Sequence, residues 1–154
     1  MVDDSQPDEL VLLARRLYQR RATAVVVPYQ MLDEAHPEGE CHQNAGTWAR
    51  DNPGWKVVHG WLVFDYEHAT SGLLQQVWVN PHSVVQNPDG KHVDPTPSKA
   101  SQRYPFLEHE GAADDFIRIV QGRGLIRIDY DTSKHEIIQV LVNSAAEGRR
   151  DASA

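Results

Sequence analysis

Between Val84-Val85-Gln86 and Lys91-His92-Val93 the chain reads Asn87-Pro88-Asp89-Gly90, and these four residues constrain the fold more than any other stretch. Proline presets the backbone for the second position of a type I turn. Gly90 accepts the left-handed conformation that closes a three-residue loop with a G1 bulge. The chain therefore doubles back into a hairpin over about 82–95, with Asn87 opposite Lys91 and Val84 opposite Asp94. Side chains alternate along a strand, so His82 shares the face of Val84 and is the diagonal neighbour of Asp94. Such diagonals lie about 7 to 8 Å apart at the backbone, a gap that an imidazole and a carboxylate can close. A tighter four-residue turn would set Asp94 opposite Ser83 and on the wrong face, because a slip of one residue inverts every side chain.

The rest of the chain gives that hairpin an α+β setting. Pro7 at a first-turn position, Asp8 and Glu9 behind it, and Leu10, Leu13, Ala14, Leu17 and Tyr18 at helical spacing predict an amphipathic helix over about 7–21. Ala24 to Val27, ended by Pro28, reads as a short strand or an extended link, and 29–40 as loop. A short helix is expected from Cys41 to Asp51, stopping before Asn52-Pro53-Gly54. Trp55 to Tyr66 and Leu73 to Val79 carry the aromatic and β-branched residues of strands, with Ala69-Thr70-Ser71-Gly72 as the turn between them. A proline-rich loop runs from Asp94 to Tyr104-Pro105. Phe116, Ile117, Ile119 and Val120 suit either a helix ended by Gly122 or a strand, and Leu125 to Tyr130 suits a strand. Ser133 with Glu136 makes a capping-box pattern ahead of Ile137, Ile138, Val140 and Leu141, which predicts a final helix. Residues 147–154 are expected to be a disordered tail and 1–146 a single domain, since no repeat or compositional break divides them.

The chain has 154 residues, 40% of them apolar and 24% charged, enough to bury a core of its own. Its net charge of -7 opposes any role that rests on neutralising phosphates, so nucleic acid is not an expected partner. Arg15, Arg16, Arg20 and Arg21 fall in the second half of the first helix, where they complement its dipole and need no ligand. No apolar run reaches the roughly 20 residues that cross a bilayer, and MVDDSQPDEL lacks the basic and apolar regions of a secretory signal. A soluble protein without a membrane partner is expected. A single cysteine excludes an internal disulfide, leaves the fold to packing, and suits a reducing cytoplasm.

That cysteine stands in Gly39-Glu40-Cys41-His42-Gln43-Asn44-Ala45, among polar residues, whereas an inert thiol is usually buried as a small hydrophobe. At a helix start its sulfur lies near unpaired N–H groups and the positive end of the dipole. Both favour thiolate, and with a cationic partner they bring the pKa to roughly 3.5 to 7.5. A thiolate nucleophile needs an imidazole, and the imidazole needs an orienting group. Of the eight histidines, the hairpin register selects His82, with Asp94 behind it. The plainer alternatives are a surface strand position for His82 and a cap on the following Pro-Thr-Pro turn for Asp94. His59 and His68 are weaker candidates for the base, His42 is expected to point elsewhere on its helix, and His92 is expected on the opposite hairpin face. The N–H of Cys41 is the first oxyanion donor, with Tyr29, Gln30 and Asn44 as candidates for the second. Trp48, Trp55, Trp61 and Trp78 are core residues before they are lining for a groove.

Cys41 in GECHQNA, His82 in VNPHSVV and Asp94 in GKHVDPTP, in that chain order, resemble the papain-like cysteine enzymes of the transglutaminase-like and NlpC/P60-like type over about residues 29–97. The Asp-Pro-Thr ending is similar to the end of the transglutaminase core motif. Two positions depart from the pattern: Val84 stands where transglutaminases usually place Trp, and Ala35 where papain-type enzymes place Gln. The resemblance implies an α+β, papain-like core, with an antiparallel sheet and the nucleophile at the N-terminus of a packed helix. It implies Cys41 as nucleophile, His82 as general base and acid, and Asp94 holding the ring. The activity it implies is hydrolysis or acyl transfer at an amide or peptide-type bond through a thioester, on a peptide or small amide substrate and with no cofactor. Two other readings stay open. One is a non-catalytic binding or regulatory module on the same fold. The other is a metal site of Cys41, His82 and Asp94, although no second cysteine or paired histidines supply the short ligand spacing of common zinc sites.

Overall fold

The computed structural model describes residues 6–66, 74–97, 104–121 and 123–144. Along these residues run α1 (Gln6–Arg20), a 3-10 turn (Arg21–Thr23), α2 (Cys41–Asp51), β1 (Lys56–Tyr66), β2 (Leu74–Gln86), β3 (His92–Val93), β4 (Phe106–Glu108), α3 (Ala113–Val120), β5 (Arg123–Asp131) and β6 (Glu136–Ser144). The strands form one antiparallel sheet in the order β4-β1-β2-β5-β6, with β3 paired to β2 off that path. The fold is mixed α and β, as expected. The backbone divides into two compact units interleaved along the sequence, one of 1–23, 63–80 and 120–154, the other of 24–62 and 81–119. Among the described residues, no helix is long and apolar enough to cross a membrane.

In the first unit, α1 buries Ala14, Leu17 and Tyr18. Tyr18 stacks on Tyr130 at 4.0 Å and donates to Gln75 Oε1 at 2.6 Å. Gln75 in turn donates to Asp65. Arg21 lies 3.8 Å over the Tyr18 ring and also donates to Asp65, so this arginine is held by partners within the chain. The ladder between β2 and β5 runs from Leu74 opposite Asp131 to Val79 opposite Ile126, and buries Val77, Val79, Ile126 and Ile128.

The expected final helix is instead β6. Asp131 Oδ1 accepts the Ser133 and Lys134 N–H groups and the Ser133 hydroxyl, which closes a turn with His135 at φ 55°. Ser133 therefore serves a turn and not a helix cap, and the β-branched run behind it pairs with β5 from Glu136 opposite Asp131 onward. Leu74–Val79 and the hairpin's first arm are likewise one continuous strand. Pro81, which has no N–H to give a ladder, falls just past the last β5 pair, Val79 opposite Ile126. The Ala69–Gly72 turn, the Gly122 helix stop, His68 and the expected tail at 147–154 lie outside the described residues.

In the second unit, the core of Ala45, Val85 and Val93 is flanked by Leu32, Trp48, Trp55 and Val57. Ala45 anchors α2 onto β2 and β3. Residues 24–27 form an extended link in which Val25 exchanges both backbone hydrogen bonds with Phe106. That bridge and the β1 ladder make a strand, β4, out of residues that follow the proline-rich stretch. Gly60 stands opposite Glu108 on β1. A Cβ there would collide with the Leu107 carbonyl oxygen and the Phe106 ring, so only glycine fits.

Candidate active site

Cys41 is the first residue of α2 and partly exposed. The helix opens with the Asn44 N–H donating to the Glu40 carbonyl at 2.8 Å, while the Glu40 side chain makes no capping bond. Glu40 therefore leaves the remaining first-turn N–H groups without a side-chain partner, and they face the end where the sulfur sits.

The hairpin has the register that its turn residues dictate. Asn87 donates to the Lys91 carbonyl, Gly90 adopts φ 89°, and Gln86 and Val85 stand opposite His92 and Val93. Continued by one residue, this sets Val84 against Asp94 and His82 on the diagonal. The His82 Nε2–H donates to Asp94 Oδ2 at 2.7 Å, with both side chains buried, at 7% and 1% exposure. The other carboxylate oxygen accepts the Thr96 N–H at 3.0 Å. With Nε2 committed to Asp94, Nδ1 is the nitrogen left for sulfur, and the thiol is electrostatically coupled to the His82 ring.

Electrostatics tie the three groups together. Burial pushes the Cys41 thiol up, but hydrogen bonds from His42 and His82 and the positive charge of both rings overcome it, leaving about 6 against the ordinary 9.0. Burial pushes the His82 ring down, and hydrogen bonds with Asp94 and Cys41 raise it to about 9 from 6.5. Between those two values sulfur is thiolate and the ring is imidazolium, the pair that attacks carbonyl carbon. Among the described residues, no three His, Cys, Asp or Glu side chains gather so as to hold a metal ion.

The other residues singled out in the sequence fall into place around this line. Tyr29 and Gln30 serve through their backbone: Tyr29 bridges to Asp94, the Gln30 N–H donates to the Asp94 carbonyl, and the Asp94 N–H donates to Pro28. The buried Asn44 amide gives one hydrogen to the Pro37 carbonyl and one to Thr96 Oγ1, tying the loop before the helix to the segment after Asp94. Both of its donors are occupied there. Trp48 and Trp55 meet edge to face in the core, Trp61 is fully buried, and Trp78 lies in the first unit beneath Arg127.

Two histidines correct the expectations. His92 pairs with Gln86 and so lies on the same side of the ribbon as His82, not the opposite one. Four residues of strand, about 13 Å, separate it from the site. His42 does not point away from the site: its Nδ1 lies 2.6 Å from the hydroxyl of Ser83, the residue after His82, and its ring is among the groups that lower the Cys41 thiol. Ser83 also meets His59 Nδ1 at 2.7 Å, and His59 stacks on Phe116 of α3 at 4.8 Å. Ser83 and Phe116 were not singled out in the sequence. The one signal for Ser83 was its place beside His82. Compared with protein-family models, with curated proteins and with solved structures, the chain matches none.

Proposed function

We propose that this chain is a cysteine-dependent hydrolase or acyltransferase of papain-like type, acting on an amide or peptide-type acyl bond through a thioester. The observation that carries the reading is one buried ring, His82, held by a buried carboxylate 2.7 Å away and electrostatically coupled to the Cys41 thiol at the start of α2. In the first half-reaction, the Cys41 thiolate adds to the carbonyl carbon, and the oxyanion is stabilised by the Cys41 N–H at the uncapped helix mouth. The His82 imidazolium passes its Nδ1 proton to the leaving nitrogen, the carbon–nitrogen bond breaks, and a thioester remains. In the second, His82 takes a proton from water or an amine as it adds to the thioester, and the tetrahedral adduct expels the thiolate. Asp94 stays ionised throughout and holds the ring.

The test is the rate of iodoacetamide labelling of Cys41 against pH, in the wild type and in His82→Ala. The chain has a single cysteine, so labelling reports on one atom. Labelling in the wild type should follow a midpoint near 6, and in the variant that midpoint should move up toward the free-thiol value of about 8.5. Superimposable curves with an ordinary thiol midpoint would remove the proposal.

A further inference from the structure

Two imidazoles lower the Cys41 thiol, and each has a chain of its own behind it. Neighbouring side chains on a strand project to opposite sides. Ser83 therefore does not act through His82: it meets the ring of His42, the residue next to Cys41 in the first turn of α2. The Ser83 hydroxyl is fully buried and lies within 2.7 Å of Nδ1 on both His42 and His59. One hydroxyl carries one hydrogen, so at least one of these rings holds its proton on Nδ1 and donates to the serine. Phe116 lies flat on His59, with an interplanar angle of 12°, and fixes the plane of that ring.

We propose that His42 is a second catalytic imidazole on the Cys41 sulfur, and that Ser83 and His59 are positioning residues that orient it. The proposal rests on Cys41 being the nucleophile, as argued above. The two chains differ in what lies at their far ends. That of His82 ends on a carboxylate, which holds a proton on the ring. That of His42 ends on a hydroxyl and a second imidazole, and burial, followed by the charges of His42 and His109, pushes His59 below its ordinary value and toward the neutral form. His42 is itself exposed, so the free side of its ring meets solvent. His42 gives the thiolate a second partner before it attacks and again when the tetrahedral adduct expels it.

The experiment titrates the thiolate absorbance of the folded, full chain, which reports Cys41 alone, in the wild type, His42→Ala, Ser83→Ala, His59→Ala and His59→Asn. Asparagine places an amide where Nδ1 stood, so it keeps a partner for Ser83 while losing the ring. His42→Ala should raise the midpoint by about one pH unit or more, the scale of one charge-assisted hydrogen bond. Ser83→Ala and His59→Ala should each raise it by a fraction of that, and His59→Asn should restore the wild-type value. Circular dichroism identifies any variant that fails to fold, and the His59 pair still decides the matter if His42→Ala is one of them. If His42→Ala leaves the midpoint in place while His82→Ala raises it, the second imidazole is idle and the function proposed above survives. If His59→Asn behaves as His59→Ala, Ser83 and His59 do not act through their hydrogen bond. A wild-type midpoint at the ordinary thiol value sinks the parent reading instead.

Discussion

Replacing Asp94 by asparagine removes a charge and little else. The amide oxygen still accepts the Thr96 N–H that Asp94 Oδ1 accepts at 3.0 Å, so the turn keeps its bond. What is lost is the anion facing His82. The interval between 6.5 and about 9 at His82 corresponds to about 3 kcal/mol at ~1.4 kcal/mol per pH unit. Asp94 leads the groups that produce it against the opposing effect of burial. Without the carboxylate, burial acts on the ring with only Cys41 to resist, and His82 is neutral at pH 7. The sulfur then loses its imidazolium partner. A thiol titrating at about 6 is ~90% thiolate at pH 7 and one titrating at 9.0 is ~1%. Loss of one partner should therefore reduce iodoacetamide labelling at neutral pH by about tenfold, and turnover by a further factor of about ten or more, since a misoriented imidazole is a poor acid. Labelling followed by intact mass across both limbs of the profile measures the effect. An Asp94→Asn variant with the wild-type labelling curve would show that the buried carboxylate does not set the charge on His82, and the electrostatic account of the site would fail.

Activity of the wild type should trace a bell, rising as Cys41 becomes thiolate through about 6 and falling as His82 loses its proton through about 9. A rate that keeps climbing above the upper value would show that no protonated group is needed. Asn44→Ala, which leaves the Pro37 carbonyl and the Thr96 hydroxyl without their donor, should cost about 1 to 3 kcal/mol in denaturant melts. Tyr18→Phe removes a 2.6 Å bond to the buried Gln75 and should cost about 1 to 2 kcal/mol in the same assay. Gly90→Ala forces a side chain onto φ 89° and should lower stability by about 1 kcal/mol. An unchanged melt would mean that the turn relaxes to another type.

The parts of the site visible from sequence are those fixed by neighbours along the chain. Asn87-Pro88-Asp89-Gly90 sets a register by local turn chemistry, and the register carries His82 to Asp94 without any knowledge of the rest of the fold. The start of α2 at Cys41 is similarly local. What could not be seen depends on distant partners. Ser133 and Glu136 have the spacing of a capping box, yet pairing with β5 and the acceptor at Asp131 Oδ1 outweigh it. The ladder of Phe106 and Leu107 exists because β1 offers Leu62 and Trp61 opposite them. The link from His42 through Ser83 to His59 joins a helix and two strands, and no periodicity within any one of them predicts it.

Gly60 has no functional group, and its effect on the imidazole is indirect. The Phe106 ring rests against the bare backbone at Gly60, and its centre is 6.2 Å from that of the His82 ring, edge to face. A methyl group at position 60 would meet the Leu107 carbonyl oxygen and the Phe106 ring, so the ring that packs against His82 would have to move. The packing beside His82 thus depends in part on a missing methyl on the adjoining strand, and a substitution that adds nothing reactive would disturb it.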